Sequence, residues 1–69
     1  MEISLDNGLT FLSAAEAIEE IMRKDLWETV VNYMNDEIRE RVHGELGPCS
    51  EMEFLVRYLE LAEDNLVIG

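Results

Sequence analysis

The chain has 69 residues, 48% of them hydrophobic, and sixteen Asp and Glu against five Lys and Arg give a net charge of −11. A chain of this length can bury only one core, so we expect a single domain over residues 1–69. The charge opposes direct binding to nucleic acid or to an anionic membrane surface, which makes a basic partner the natural expectation.

The N-terminal segment and the cysteine content indicate a cellular compartment. Residues 1–10 carry Glu2 and Asp6 and lack the basic and apolar regions of a signal peptide. Cys49 is the single cysteine, so no disulfide can form within the chain, as is typical of a reducing compartment. No apolar run approaches the roughly 20 residues that span a bilayer. We expect a cytoplasmic protein.

The first twelve residues predict a β-hairpin. Residues 2–5 and 9–12 alternate in polarity, and the Asn7-Gly8 pair between them suits a tight hairpin turn, because both residue types tolerate a positive φ. A short strand predicted over 66–68 would pair with this hairpin. The residues expected to share its inner face are Ile3, Leu5, Leu9 and Phe11.

Helix starts follow, each marked by a capping residue with Glu three positions later. These pairs are Ser13 with Glu16, Asp25 with Glu28, and Ser50 with Glu53. We predict a first helix over about 13–24 and a last one over about 51–63. The last helix is apolar on more than one face, which predicts either a central place in the fold or half of an oligomer contact.

The segment between these helices allows two interpretations. A second helix can begin at Asp25 and a third, capped by Asn35, can cover 36–46, but the apolar period also fits one long helix over 26–46. Gly47-Pro48 ends the segment in either case. The predicted fold class is α+β, with an N-terminal β-hairpin and a short C-terminal strand packed on three or four helices.

Chemical motifs are few. His43 and Cys49 fall short of the four ligands of a closed zinc site, and we expect Cys49 to pack against Phe54 at the start of the last helix. A 69-residue chain leaves little room for a substrate pocket, and there is no glycine-rich phosphate loop. These features predict no enzyme, no metal and no cofactor.

Two rows of carboxylates are the main functional candidates. Residues three or four apart on a helix rise about 4.5–6 Å, comparable to a few phosphate steps of about 3.4 Å along one strand of a duplex. Such rows can enter a basic groove, although an acidic helix face can also be merely solvated. The first acidic row is Glu16, Glu19 and Glu20, and the second acidic row is Asp36, Glu37 and Glu40.

Several segments resemble small proteins of bacterial mobile elements, over about two thirds of the chain. They are Trp27–Val31, Asn35–Glu40, Val42–Cys49, Glu53–Leu55, Tyr58–Ala62 and Leu66–Ile68. Small acidic proteins of phages and plasmids include anti-CRISPR and anti-restriction inhibitors of host defence. The resemblance therefore implies a role against host defence inside the bacterial cell, and it implies no catalytic residue.

Charge and resemblance together predict an acidic inhibitor that imitates DNA. It would fill the basic groove of a host nucleic-acid-binding enzyme, most naturally a CRISPR effector, through the two acidic rows. The alternative is an interaction module without enzymatic activity that binds through the apolar face of the last helix, for example as a homodimer.

Overall fold

The computed structural model describes all 69 residues and has four helices and two short strands. In chain order the elements are β1 (Ile3–Ser4), α1 (Ala14–Lys24), α2 (Trp27–Tyr33), α3 (Asp36–Leu46), α4 (Glu51–Ala62) and β2 (Leu66–Val67). The predicted α+β class is confirmed. None of the helices combines the length and apolar character needed to cross a bilayer.

Helix α4 is the centre of the fold. Phe54, Leu55, Tyr58 and Leu59 are all buried in it, and both α1 and α3 pack against it. Burial on more than one side explains why this helix is apolar on more than one face. Val56 remains at its surface with 36% of its area exposed, so only a small part of the apolar excess faces solvent.

Two of the three predicted capping signatures are confirmed. The Ser13 hydroxyl accepts a bond from the Glu16 N–H at 3.3 Å, and the Glu16 carboxylate accepts one from the Ser13 N–H at 3.2 Å. The Ser50 hydroxyl likewise accepts from the Glu53 N–H at 3.2 Å. Each cap satisfies backbone donors that the first turn leaves free, which sets where α1 and α4 begin.

The third signature, at Asp25, is wrong. Asp25 lies in the left-handed region at φ 55° and ψ 51° and ends α1, and α2 begins at Trp27 with no side-chain cap. The Leu26 N–H donates to the Ile21 carbonyl at 2.8 Å, and the Asp25 N–H donates toward the Met22 carbonyl at 3.4 Å. These are the two bonds of a Schellman motif, so Asp25 closes one helix and does not open the next.

The segment 26–46 forms two helices. The chain leaves helical geometry at Met34 and Asn35, and the Asn35 side chain then caps α3 by accepting from the Ile38 N–H at 3.2 Å. The Asn35 N–H donates to the Tyr58 hydroxyl of α4 at 2.7 Å. That distant bond satisfies a backbone donor at the break and fixes the break against the centre of the fold.

The sheet is parallel and joins the two ends of the chain. Ile3 pairs with Leu66 and Ser4 with Val67, which confirms that the last strand pairs with the N-terminal segment. The predicted hairpin is reduced to a single antiparallel bridge between Ile3 and Leu12, and residues 9–12 do not form a strand.

Side chains replace the missing hairpin ladder. The Ser4 hydroxyl accepts from the Gly8 N–H at 2.8 Å, and the Asp6 carboxylate accepts from the Thr10 N–H at 2.8 Å. The predicted inner face is therefore wrong for Leu9, which is 87% exposed, and for Phe11, which is 40% exposed. Backbone donors that meet local side chains do not need an opposite strand.

Candidate acidic interface

The first acidic row lies on the outer face of α1. This helix buries Ala17 and Ile21 against the core, which leaves Glu16 and Glu19 exposed and Glu20 half-buried. The structure thus places the three predicted carboxylates together on one side of one helix. Glu16 is engaged in the cap of its own helix through Ser13.

A fourth carboxylate, Asp6, joins this row from the N-terminal loop. Asp6 lines a cleft of about 390 Å³ together with all three glutamates of the row and Lys24. The Thr10 N–H and the Ser4 hydroxyl both donate to its carboxylate, which lowers the pKa of Asp6. Asp6 directly precedes the Asn7-Gly8 pair in the sequence, and no local signal predicts that it lies beside α1.

Glu20 is neutralised within the chain. Arg23 hydrogen-bonds to its carboxylate, and the Lys24 Nζ lies 3.2 Å from its other oxygen. Bonds from Arg23 and then from Lys24 lower the pKa of Glu20. Glu19 makes no ion pair and no hydrogen bond, so it is the carboxylate of the first acidic row that is free to meet a partner.

The second acidic row lies on the first two turns of α3, and all three side chains are exposed. Asp36 pairs with Arg39 at 2.7 Å, and Arg39 also donates to the Val31 carbonyl of α2 at 3.1 Å. Glu37 and Glu40 have no partner in the chain. The helix dipole favours the two carboxylates of the first turn, Asp36 and Glu37, whereas Glu40 lies one turn further along α3.

Every cation of the chain is already used. Four carboxylates, those of Glu20, Asp36, Glu45 and Glu60, take up all five Lys and Arg side chains. Glu45 illustrates the pattern, because it lies 2.7 Å from Arg57 and raises the pKa of that guanidinium. The other carboxylates keep their charge uncompensated, which leaves a strongly negative surface.

The two potential zinc ligands lie at the surface. His43 and Cys49 are both exposed, and no group of three or more His, Cys, Asp or Glu side chains is placed to hold a metal ion. The expectation that Cys49 is a packing residue is wrong, because Cys49 is exposed, as are the other residues of the turn from Gly47 to Ser50. Phe54 instead packs with Trp27 and His43.

Fold and surface together define a small acidic α+β protein whose exposed helix faces carry uncompensated carboxylates. Residues 16–61 match the family described as anti-CRISPR protein AcrIC5, and the chain belongs to that family. Membership makes the protein an inhibitor of CRISPR–Cas defence, as the sequence resemblance implied. No curated protein and no solved structure matched the chain.

The matched range contains both predicted acidic rows and most of the helical core. It begins at Glu16 and ends at Leu61, so it leaves out β1, the loop that carries Asp6, and β2. Both acidic rows therefore lie on the part of the chain that relates it to other anti-CRISPR proteins.

Proposed function

We propose that the protein inhibits a CRISPR effector by placing its two acidic rows in the basic groove where that effector holds nucleic acid. The observation that carries this proposal is the exposed carboxylates that no cation of the chain neutralises, with Glu19, Glu37 and Glu40 as the free members of the rows. Glu37 and Glu40 are three residues apart, about 4.5 Å along the helix axis, which lies between one and two phosphate rises of about 3.4 Å on one strand.

Inhibition of this kind needs occupancy and no chemical step. The protein would act without enzymatic activity, cofactor or metal, as one domain over residues 1–69, in the bacterial cytoplasm where the effector works. It would contact the effector protein and not the nucleic acid itself, since the charge of −11 repels phosphates.

Complementary charge predicts how binding should respond to salt. A negative surface that approaches a basic groove is steered toward it, so association is fast at low ionic strength and slows as salt is added. Binding through an apolar surface around the exposed Val56 would change little with salt. Measuring binding over a series of salt concentrations therefore distinguishes occupancy of the basic groove from the apolar alternative. Association of two copies through the apolar face, as in a homodimer, would likewise change little with salt.

Charge reversal with a matched control tests the proposal directly. Changing Asp36, Glu37 and Glu40 to Lys should weaken binding to the inhibited effector complex by at least about tenfold more than the same change at three other carboxylates. The control variant carries Lys in place of Glu2, Glu60 and Glu63, which are exposed and lie outside both rows. Both variants change the net charge equally, so a difference between them reports position.

The measurement is the affinity of each variant for the purified effector complex, together with the ability of that complex to bind target DNA. Circular dichroism must first show that each variant keeps its helices, because Lys near the start of α3 opposes the helix dipole by about 0.3–1 kcal/mol per charge. Parent-like affinity of both folded variants would exclude the proposed site. Equal weakening would leave only diffuse attraction by total charge.

A further inference from the structure

A groove of about 410 Å³ lies where α2 meets the turn between α3 and α4. Trp27, His43 and Phe54 all line it, with ring centroids 5.9 Å apart for Trp27 and Phe54 and 4.9 Å apart for His43 and Phe54. Concave, mostly apolar sites with a few polar groups are typical places for an anchoring side chain of a partner. No residue of the two acidic rows lines this groove.

The groove continues the second acidic row. Asp36, Glu40 and His43 are spaced four and three residues apart, which places them on one stripe of α3, and the helix ends four residues later at Gly47. The first two belong to the second acidic row, and His43 and Gly47 line the groove. A partner that lies along the row therefore reaches the groove within one further turn of the helix.

The charge of the groove favours a cation. Glu51 is its one carboxylate, and no Lys or Arg lines it. The start of α4 contributes a positive dipole end of about half a charge, but Glu51 and Glu53 lie in its first turn and more than offset it. Aromatic rings beside an unpaired carboxylate suit a guanidinium, which can contact rings and pair with carboxylates at once.

We infer that this groove receives an arginine side chain from the nucleic-acid-binding surface of the CRISPR effector. The inference rests on the proposed function for its partner and adds an anchoring contact beyond the two acidic rows. The arginine would contact the aromatic lining and pair with Glu51. Such a contact fixes the register of the protein in the basic groove, which charge rows alone do not specify.

The single cysteine allows the groove to be probed in the intact protein. Cys49 is exposed and lines the groove, so N-ethylmaleimide labels it in the free protein. Bound effector complex should slow this labelling by about tenfold or more, because a filled groove denies access to the thiol. The matched control is Asn32→Cys in a Cys49→Ser background, an exposed position of α2 outside the groove, where labelling should not change.

A charge variant tests the arginine itself. Glu51→Gln should weaken binding to the effector complex by roughly three- to tenfold. The control, Glu28→Gln, removes the same charge from the first turn of α2 but lies outside the groove, and it should weaken binding less than about twofold.

Unchanged labelling of Cys49 in the complex would overturn the inference. If Cys49 is protected but Glu51→Gln and Glu28→Gln weaken binding equally, the occupant of the groove is not an arginine, and an apolar side chain takes its place. A third outcome separates this inference from the proposed function: Cys49 is protected and Glu51→Gln weakens binding, but the triple reversal of the second acidic row does not. In that case the arginine contact at Glu51 is supported, and the proposal that the acidic rows block the effector's basic groove is wrong.

Discussion

The two acidic rows contain three carboxylates each but differ in how the chain uses them. In the first acidic row Glu16 belongs to a capping box and Glu20 binds Arg23 and Lys24, so one carboxylate, Glu19, is without a partner. In the second acidic row the only internal pair joins Asp36 to Arg39. Glu37 and Glu40 are both exposed and free.

The two acidic rows therefore have the same number of carboxylates but differ in how many of them are free to contact a partner. Carboxylates that already satisfy a cap or a cation contribute to the stability of their own helix and offer less to a partner. Free carboxylates at the start of a helix keep their charge for contact. The second acidic row is the better candidate for recognition, while the first acidic row is partly a structural device of α1.

The largest expected effect separates the two rows by binding. Changing Glu37 and Glu40 together to Gln should weaken binding to the effector complex roughly tenfold, and changing Glu16 and Glu20 together to Gln should weaken it less than about threefold. Both variants remove two charges, and Gln still serves at the third position of a capping box. Titration of the effector with each variant measures the difference. Equal losses would show that internal engagement does not distinguish the rows.

The next effect concerns the stability of the helix start that carries each acidic row. The start of α3 has the Tyr58 hydroxyl of α4 as a partner in addition to its Asn35 side-chain cap, whereas the start of α1 is held by local side chains alone. Tyr58→Phe should lower the free energy of unfolding by about 1–2 kcal/mol, because the Asn35 N–H loses its partner. Amide exchange should rise in the first turn of α3 and not in that of α1. Tyr33→Phe, which removes an exposed hydroxyl without a hydrogen bond, serves as the control and should match the parent.

A smaller effect compares the cations of the two rows. Arg39→Ala should lower the free energy of unfolding by about 1 kcal/mol, because the half-buried guanidinium also donates to the Val31 carbonyl at the end of α2. Arg23→Ala should leave stability unchanged within error, since Arg23 is exposed and bonds only to Glu20. Urea denaturation of both variants measures this. A larger loss for Arg23→Ala would contradict the comparison.

The smallest expected effect is the pH dependence of the stability that Glu20 of the first acidic row contributes. The pKa of Glu20 is lowered in the folded protein, chiefly by Arg23 and then by Lys24, from an ordinary value of 4.5. Its contribution to stability is therefore present above pH 4.5 and is lost as the pH falls through the lowered pKa. The stability difference between parent and Glu20→Gln should stay constant near neutrality and shrink below that pH. Thermal melts of both proteins across the acidic pH range measure this stability difference. A stability difference that grows toward low pH would contradict the stabilising role of the Glu20 carboxylate.

Much of the helical fold could be predicted because its signals are local. Ser13 and Ser50 open their helices as predicted, and Gly47 ends α3 at φ 61°, a conformation that favours glycine. The prediction at Asp25 is wrong because the spacing of Asp25 and Glu28 matches a capping box, although Asp25 ends α1. Its true conformation depends on how α1 ends, which the pair of residues alone does not encode.

The parts that sequence could not predict depend on distant partners. Whether residues 26–46 form one helix or two is decided with the help of Tyr58, which lies 23 residues beyond Asn35. Asp6 joins the first acidic row only because its loop folds against α1. The aromatic groove likewise combines residues of three helices and a turn. Charge rows can be predicted from helical spacing, whereas clefts need the tertiary structure.

The parallel pairing of β1 with β2 has a consequence for the order of folding. The pairing closes a loop of about sixty residues, and the entropy lost in closing so long a loop is recovered only after the helices between the strands have formed. We therefore expect the sheet to assemble after the helical core, and the Leu66 amide, bonded to the Glu2 carbonyl at 3.0 Å, to report this late step in pulsed hydrogen exchange. The loop that carries Asp6 follows β1 directly, and its Asn7 N–H donates to the carbonyl of Ile68, the residue after β2, at 2.8 Å. The cleft beside the first acidic row would then become complete only in this last step, whereas the second acidic row exists as soon as α3 docks on α4.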